Sequence, residues 1–388
     1  MKKQSILIIC VLLVAATAAG FAGEKTDKAR KDAYAFTPVV QLKTTPVKNQ
    51  AATGTCWSFA TTSFVESELI RMGKDEVALA PMANVRFAYP RKAGNFVRYS
   101  GLANFGPGGQ AHDVMRAIRE YGFVPEGAYE AMHIGEERHN HGEMDSVLRG
   151  MLDAVVARRG RKITPAWPQA FDAVLDVYLG PLPGAFDYKG KTYTPKTFVE
   201  SMGFHPDDYV EFTSFAHHPF YAKFDLEVPD NWSKDLYWNV PVDDLIRITD
   251  YALENGFTVV WDGDVSEKSF GSKLGVATIP MEDDFDPESE KGREALAAGP
   301  IKEKAVTQDM RQATFDNQTS TDDHLMHITG AARDQTGARF YYTKNSWGVK
   351  DMKYGGYWYM STPYFRLKTI AIMVHKSAIP PDIRAKIG

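Results

Sequence analysis

Residues 50–72 read QAATGTCWSFATTSFVESELIRM, and this stretch decides the fold. From Cys56 onward, apolar side chains recur at the three- and four-residue spacing of a helix face that continues to Leu69. Gly73 stands where a C-terminal cap is expected. The pattern predicts a helix from Cys56 to Met72, about 25 Å long, with a cysteine at its first position.

A cysteine that opens a helix is well placed for nucleophilic chemistry. The positive end of the backbone dipoles favours the thiolate form. The backbone N–H of Cys56 has no partner inside the helix, and the side-chain amide of Gln50 comes six residues earlier. We expect these two donors to bind the oxyanion of a tetrahedral intermediate, a contribution of about 3–4 kcal/mol per donor. A thiolate also needs a histidine as proton carrier, oriented by a third group.

The rest of the chain predicts an α+β fold, because helical segments come first and strands later. Residues 135–240, rich in histidine, proline and aromatic residues, are interpreted as an insertion. A turn at Asp334–Gly337 joins the last two predicted strands into a hairpin. The predicted helices after the first are 111–121, 145–158 and 241–255, and the predicted strands are 257–261, 325–332 and 339–345.

The N-terminus has the pattern of a secretory signal. Lysines at the start precede an apolar run from Ile6 to Ala16, and small residues end the segment at Ala22. A membrane anchor is the alternative, but the run is shorter than the ~20 residues of a spanning helix. We therefore expect residues 1–22 to be removed and residues 23–388 to be exported, periplasmic or secreted. Cys10 would leave with the signal, so Cys56 would be the single remaining cysteine, either buried and inert or functional.

Composition and motifs exclude several classes of protein. The formal net charge of −4 on 388 residues indicates neither nucleic acid nor an anionic membrane surface as a partner. No His-Glu-x-x-His, phosphate-binding loop or dinucleotide fingerprint occurs. The histidine groups 133/139/141 and 217/218 lack a zinc-ligand spacing supported by cysteines, so no metal and no cofactor is expected.

Two histidines compete for the role of proton carrier. His324 and His327 are three residues apart on a predicted strand, so their side chains face opposite sides. With the hairpin turn as predicted, Asn345 pairs near Met326 and shares a face with His324, whereas His327 faces Lys344. This geometry favours His324 over His327. The family resemblance described next implies the remaining roles, with the Asn345 oxygen accepting the Nδ1–H of His324 and Nε2 facing Cys56. His327 is interpreted as a packing histidine.

These residues resemble the active-site motifs of papain-like cysteine peptidases. The segments that carry the resemblance are 50–59 (QAATGTCWSF), 323–324 (DH) and 345–348 (NSWG). Further blocks are similar to the bleomycin hydrolase and aminopeptidase C branch: 259–265 (VVWDGDV), 272–275 (SKLG), 311–315 (RQATF), 324–326 (HLM) and 329–330 (TG). The resemblance implies a helical left domain with a central active-site helix, an antiparallel β right domain, and a family-type insertion.

The resemblance also assigns roles to particular residues. It implies Cys56 as nucleophile, His324 as base, Asn345 as the orienting group and Gln50 in the oxyanion hole. The pair Gly108-Gly109 is similar to the glycines that hydrogen-bond substrate backbone, although Gly-Gly is also common in ordinary loops. Trp57 and Trp347 are expected to be supporting residues, with Trp347 shielding the His324–Asn345 hydrogen bond from water.

The resemblance implies peptide substrates and, in the branch it indicates, aminopeptidase action and a hexameric ring. In that branch a C-terminal arm reaches the cleft and its carboxylate pairs with the amino group of the substrate. Here Ile379-Pro380-Pro381-Asp382-Ile383 looks like the start of such an arm, and Gly388 follows soon after. We expect an aminopeptidase, with an open-cleft endopeptidase as the alternative. An inactive peptide-binding protein is disfavoured because all four catalytic positions are intact.

Overall fold

The computed structural model describes residues 33–157, 162–271 and 274–388. The predicted signal, Arg158 at the end of one predicted helix and the first two residues of the SKLG block lie outside this part of the chain. The helices are α1 (Cys56–Arg71), α2 (Pro81–Arg98), α3 (Ala111–Glu120), α4 (Gly142–Val156), α5 (Trp167–Leu179), α6 (Pro195–Met202), α7 (Val242–Glu254), α8 (Glu290–Ala298), α9 (Gln308–Asp316), α10 (Thr362–Lys368) and α11 (Pro381–Ile387).

The strands are β1 (Thr37–Gln41), β2 (Phe186–Tyr188), β3 (Lys191–Tyr193), β4 (Tyr209–Thr213), β5 (Lys223–Asp225), β6 (Leu236–Asn239), β7 (Val259–Gly263), β8 (Val276–Ala277), β9 (His324–Arg333), β10 (Arg339–Lys344), β11 (Tyr357–Ser361) and β12 (Thr369–His375). The α+β class predicted from the sequence is confirmed.

Helix α1 is the centre of the molecule. Every residue from Cys56 to Leu69 is buried, so the helix is surrounded on all sides rather than on one stripe. It packs between α2 and α3 on one side and β7 and β9 on the other. Gly73 ends it in a left-handed conformation (φ 75°), with its N–H donating to the Ile70 carbonyl at 3.0 Å. Both predicted ends of this helix are correct to within one residue.

One large mixed sheet forms the other half of the fold. Its strand order is β5-β6-β4-β12-β7-β9-β10-β11-β8, and β1 pairs with the second half of β9. The pairs β4–β6 and β8–β11 are parallel and the other pairs are antiparallel. An antiparallel sheet is expected from the sequence, and these two pairs differ from that expectation. The predicted hairpin is β9–β10, with Arg333 opposite Arg339.

The two largest apolar cores lie on opposite faces of the sheet, and α1 belongs to the first of them. The larger core holds the inner faces of α1 to α5 together with Val260 of β7 and Leu325 of β9. The second core lies on the opposite face of the sheet, under α7, α10 and α11. The first residue of α1 is therefore held where the helical half of the molecule abuts the sheet.

The segment interpreted as an insertion contains α4, α5, α6 and the strands from β2 to β6. Its second half does not stand apart, because β4 pairs with β12 and carries β6 and β5 beyond it. Whether residues 135–240 are an insertion stays a prediction. Among the residues described, no helix combines the length and the apolar character needed to span a bilayer.

Candidate active site

The Cys56 thiol lies at the N-terminus of α1, beside the start of β9. The residue is 9% exposed and has no disulfide partner. Its thiol interacts with the backbone of Leu325, the residue that follows His324. The backbone N–H of Cys56 is in the first turn of the helix, where no intrahelical acceptor exists. The structure thus brings the cysteine and the chosen histidine to the same junction.

His324 and Asn345 form the hydrogen bond that the sequence predicts, but through the other ring nitrogen. Nε2 of His324 is 2.7 Å from Oδ1 of Asn345, so Nε2–H donates and Nδ1 is the free nitrogen. The expectation that Nδ1 would bind Asn345 is wrong, because the Asn345 side chain, directly after β10, reaches Nε2 at the outer end of the ring. The Trp347 ring lies 4.8 Å from the imidazole, centroid to centroid, and covers this bond.

His327 points away from this junction. Its Nδ1 is 2.9 Å from the Ser63 hydroxyl and its ring meets Phe64 edge-on at 5.9 Å. It pairs with Lys344 across the hairpin, as the sequence predicts. The residue is completely buried in packing contacts with α1, which fits the interpretation as a packing histidine.

Gln50 is held in place by two hydrogen bonds. Its Nε2 donates to the Thr53 carbonyl at 2.8 Å, and its Oε1 accepts from the Ser346 hydroxyl at 2.6 Å. The amide carries two N–H bonds and Thr53 occupies one of them. One N–H of Gln50 therefore remains available as a donor, and its role in the oxyanion hole stays a prediction.

The loop that contains Gly108 and Gly109 lies against the start of α1. The indole N–H of Trp57 donates to the Pro107 carbonyl at 2.9 Å, and a side chain on Gly109 would meet the Trp57 ring at 3.0 Å. The buried Lys92 ammonium donates to the carbonyl of Gly108, which is therefore already engaged. The glycine pair thus lies beside Trp57, the residue after the cysteine, and its substrate-binding role stays a prediction.

Burial favours the neutral forms of both reacting groups. Burial, reinforced by nearby carboxylates including Asp322 and Asp230, raises the pKa of the Cys56 thiol to about 12, against the opposing hydrogen bond with Leu325. Burial also lowers the pKa of His324 to about 4, although the bond to Asn345 opposes this. The sequence-based expectation of a thiolate considered the helix dipole and not desolvation, which opposes ionisation of the thiol, and it stays a prediction.

A pH profile of thiol alkylation tests this balance. Since a raised pKa means a protonated thiol at neutral pH, we expect iodoacetamide to label Cys56 slowly at pH 7 and faster as the pH rises past ~8.5, the value for a free thiol. The unfolded chain in urea is the control, because there the same thiol titrates freely. Labelling that stays fast well below pH 7 would show that a thiolate–imidazolium pair forms after all.

Several residues around the site were not identified from the sequence. The carboxyls of Asp230, Asp262 and Asp322 act electrostatically on the thiol. Two of them lie in or beside motifs noted above: Asp262 within VVWDGDV, and Asp322 directly before Asp323-His324. Their positions in or beside these motifs were the signal by which the sequence could have identified them. Asp230 gives no local signal, because only the fold brings it to the site.

The structure groups one pair of histidines with a carboxylate. Nε2 of His218 lies 2.7 Å and Nε2 of His217 lies 3.1 Å from Glu227, and the three residues could hold a metal ion. None of the contacts of this group involves Cys56 or His324. In the described part of the chain it is the one such group, and it has no link to the chemistry of the thiol.

An α+β fold with a central helix that starts at a cysteine, facing a histidine–asparagine pair on a sheet, defines a papain-like cysteine peptidase. The family model described as "Peptidase C1-like family" matches residues 186–388, just over half of the chain. The chain belongs to that family and is a cysteine-type peptidase. The matched region contains His324, Asn345 and Trp347, whereas Cys56 precedes it.

Named relatives cover most of the chain. Aminopeptidase G of Lactobacillus delbrueckii subsp. lactis is 23% identical, with 88% of this chain and 83% of that protein aligned. Aminopeptidase W of the same organism is 24% identical, with 89% and 84% aligned. The crystal structure of PepW from Lactobacillus rhamnosis HN001 superposes with a TM-score of 0.71 at 20% identity, covering 90% of this chain and 84% of that one. This structural likeness confirms the fold.

Proposed function

We propose that the chain is an aminopeptidase that cleaves peptides through Cys56, His324 and Asn345. The observation that carries the site assignment is the 2.7 Å bond from His324 Nε2 to Asn345 Oδ1, next to the thiol at the start of α1. It supports a ring fixed in one tautomer, with Nδ1 as the nitrogen that exchanges protons. His327 has no comparable partner, since Ser63 occupies its Nδ1.

The proposed reaction uses each group at a stated atom. Nδ1 of His324 takes the Cys56 proton as the sulfur attacks the scissile carbonyl carbon, and then delivers that proton to the leaving amine. The backbone N–H of Cys56 and an N–H of Gln50 stabilise the oxyanion. Water then attacks the thioester, with Nδ1 as the base, and releases the acid and the free thiol. Asn345 keeps the imidazole oriented throughout.

The preference for an N-terminal residue rests on the relatives. Both curated relatives are named aminopeptidases, and this chain spans more than four fifths of each. Export is proposed from the signal pattern of residues 1–22. Sequencing the N-terminus of the protein isolated from its source would show a start at or near Gly23, and an intact Met1 would contradict export.

Hydrolysis of one peptide with a free and with an acetylated N-terminus tests the proposed specificity. We expect the free peptide to be cleaved after its first residue, with kcat/KM about ten- to a hundredfold above that of the acetylated one. Mass spectrometry of the products identifies the bond. Equal cleavage of both peptides at internal bonds would instead establish an endopeptidase.

A further inference from the structure

Three aspartates from distant parts of the chain converge beside the thiol. Asp262 lies on β7 directly opposite Leu325, and Asp322 comes two residues before His324. Asp230 belongs to the loop between β5 and β6. Each acts electrostatically on Cys56, and each also acts on at least one other member of the group. They therefore share one small region next to the reacting sulfur.

Asp262 is the most deeply buried of the three aspartates. It is 3% exposed, and neither carboxylate oxygen accepts from an N–H or hydroxyl donor among the described residues. It follows Val260 by two positions on β7, so it points to the sheet face that packs on α1. A buried carboxylate without a donor is costly and uncommon. The one group able to share a proton with it is the carboxyl of Asp322.

Asp322 and Asp230 lie in front of this buried carboxylate. Both are partly exposed, so both are open to a ligand. Nε2 of Gln110 donates to Asp322 at 2.7 Å, while the Oε1 atom of the same amide is buried with no partner. Asp230 accepts from Nδ2 of Asn104 at 3.1 Å. The region therefore offers several unused acceptors and no salt-bridge partner within the described residues.

One buried cation, Lys92, acts on part of the group. It attracts Asp230 through space while its ammonium donates to the carbonyls of Gly106 and Gly108, so the charge of Asp230 is partly compensated. Asp230 rests on the Cα of Gly108, where an added Cβ would come within 1.9 Å of its Oδ2. Only glycine leaves room for the carboxylate at this point. The loop thus carries both the glycine pair and a negative charge to the edge of the site.

The raised pKa values of Asp262 and Asp322 are consistent with a site that binds a cation. Burial, and then repulsion from Asp230, raises the pKa of Asp322 to about 7, although hydrogen bonds with Asp262 and Gln110 oppose the rise. The pKa of Asp262 is raised well above its ordinary value by burial and by Asp322. A positive charge bound here would reverse these shifts.

We propose that Asp230, Asp262 and Asp322 bind the N-terminal ammonium of the substrate, so that its first peptide bond lies at Cys56. This inference rests on the proposed aminopeptidase function and supplies its specificity determinant. An ammonium has three N–H donors, which the carboxylates of Asp322 and Asp230 and the Oε1 atom of Gln110 can accept, while the buried Asp262 behind them supplies negative charge. The described C-terminal residues lie elsewhere: α11 is held on α7 by the 2.9 Å ion pair of Asp382 with Arg247.

Two isosteric variants test the proposal, Asp322→Asn and Asp230→Asn. Each is expected to lower kcat/KM for the free-amine peptide about ten- to a hundredfold, mainly through KM, because a charge-assisted hydrogen bond to the bound substrate is lost. The measured quantity is the ratio of kcat/KM for the free-amine peptide to that for the acetylated peptide within each variant, and this ratio should fall toward one, since any effect of the lost charge on the thiol is common to both peptides. Thermal unfolding of each variant verifies that it is folded.

Matched controls separate the competing explanations. Asp323→Asn removes the neighbouring charge, but its carboxylate is directed to the Thr321 hydroxyl (2.7 Å), so this variant should keep the preference. A short C-terminal extension moves the terminal carboxylate and should also leave the preference intact. An acetylated peptide with lysine before the scissile bond tests a basic side chain as the ligand.

The possible outcomes distinguish the inference from the aminopeptidase function and from two other modes of recognition. If the native chain prefers free amines and both Asp322→Asn and Asp230→Asn retain that preference, the inference is overturned while the aminopeptidase function stands. Loss of the preference on C-terminal extension would assign the recognition to the terminal carboxylate. Rapid cleavage of the acetylated lysine peptide, abolished in Asp322→Asn, would make the ligand a side chain. A native chain without any preference rejects both the function and the inference.

Discussion

The variants Cys56→Ala and His324→Ala are expected to lose peptide hydrolysis, whereas His327→Ala should retain most of it. Removing the nucleophile of a covalent mechanism costs on the order of 10⁶ in kcat. Removing a general acid–base group costs about 10²–10⁴. His327 is expected to matter mainly for stability, since its contacts are Ser63 and Phe64 in the core.

Steady-state assays on purified variants, with thermal unfolding curves as the control for folding, measure these losses. Because the cysteine and the histidine act as one unit, the double variant should be no worse than Cys56→Ala alone. An inactive His327→Ala and an active His324→Ala would reverse the assignment. Additive losses in the double variant would mean that the two residues act in separate steps.

The hairpin shows both what the sequence can specify and where it falls short. The prediction that Lys344 faces His327 is confirmed, and Asn345 does bind His324. Yet the register shifts by one residue between Tyr342 and Thr343. Without that irregularity, Lys344 would face Ile328 and Asn345 would face His327. The alternation of side chains and the turn predict a hairpin, but nothing local in the sequence predicts the bulge that fixes the partner.

Contacts between distant segments account for the other misses. The ring nitrogen that meets Asn345 depends on how two strands and Trp347 pack around the imidazole. The thiol's pKa depends on burial by the whole fold, which no helix-start pattern reports. Asp262, Asp322 and Asp230 come together only in the folded protein. They lie on β7, just before β9 and in the loop that contains Trp232. Sequence patterns identify residues that form local motifs, and these three aspartates do not form one.

A buried network of hydrogen bonds surrounds Glu66 behind the site. The Glu66 carboxylate on α1 accepts from the Thr45 hydroxyl, from the Lys48 ammonium at 3.0 Å and from the Leu79 N–H at 2.7 Å. The Lys344 ammonium donates to the Thr45 carbonyl at 2.7 Å and to Ser63 at 2.8 Å. Lys344 directly precedes Asn345, so the network fastens the end of β10 to the active-site helix.

Glu66→Gln is therefore expected to destabilise the fold by about 3–5 kcal/mol. The isosteric change leaves two cations, Lys48 and Lys344, near a neutral group in a region where the Glu66 side chain is fully buried. Asp75→Asn is the matched control, since it breaks an ion pair with Lys189 that is exposed on both sides and should cost far less than Glu66→Gln. Urea unfolding at pH 7 measures both free energies.

A second substitution separates charge from packing. If the cost of Glu66→Gln arises from unbalanced lysines, adding Lys344→Met should restore part of the lost stability, with a coupling of about 0.5–3 kcal/mol. Strictly additive losses would mean that Glu66 and Lys344 are not coupled, and a Glu66→Gln chain as stable as the parent would remove the network as a structural element. Hydrolysis should weaken along with stability, because a loosened β10 end lets Asn345 leave the imidazole of His324.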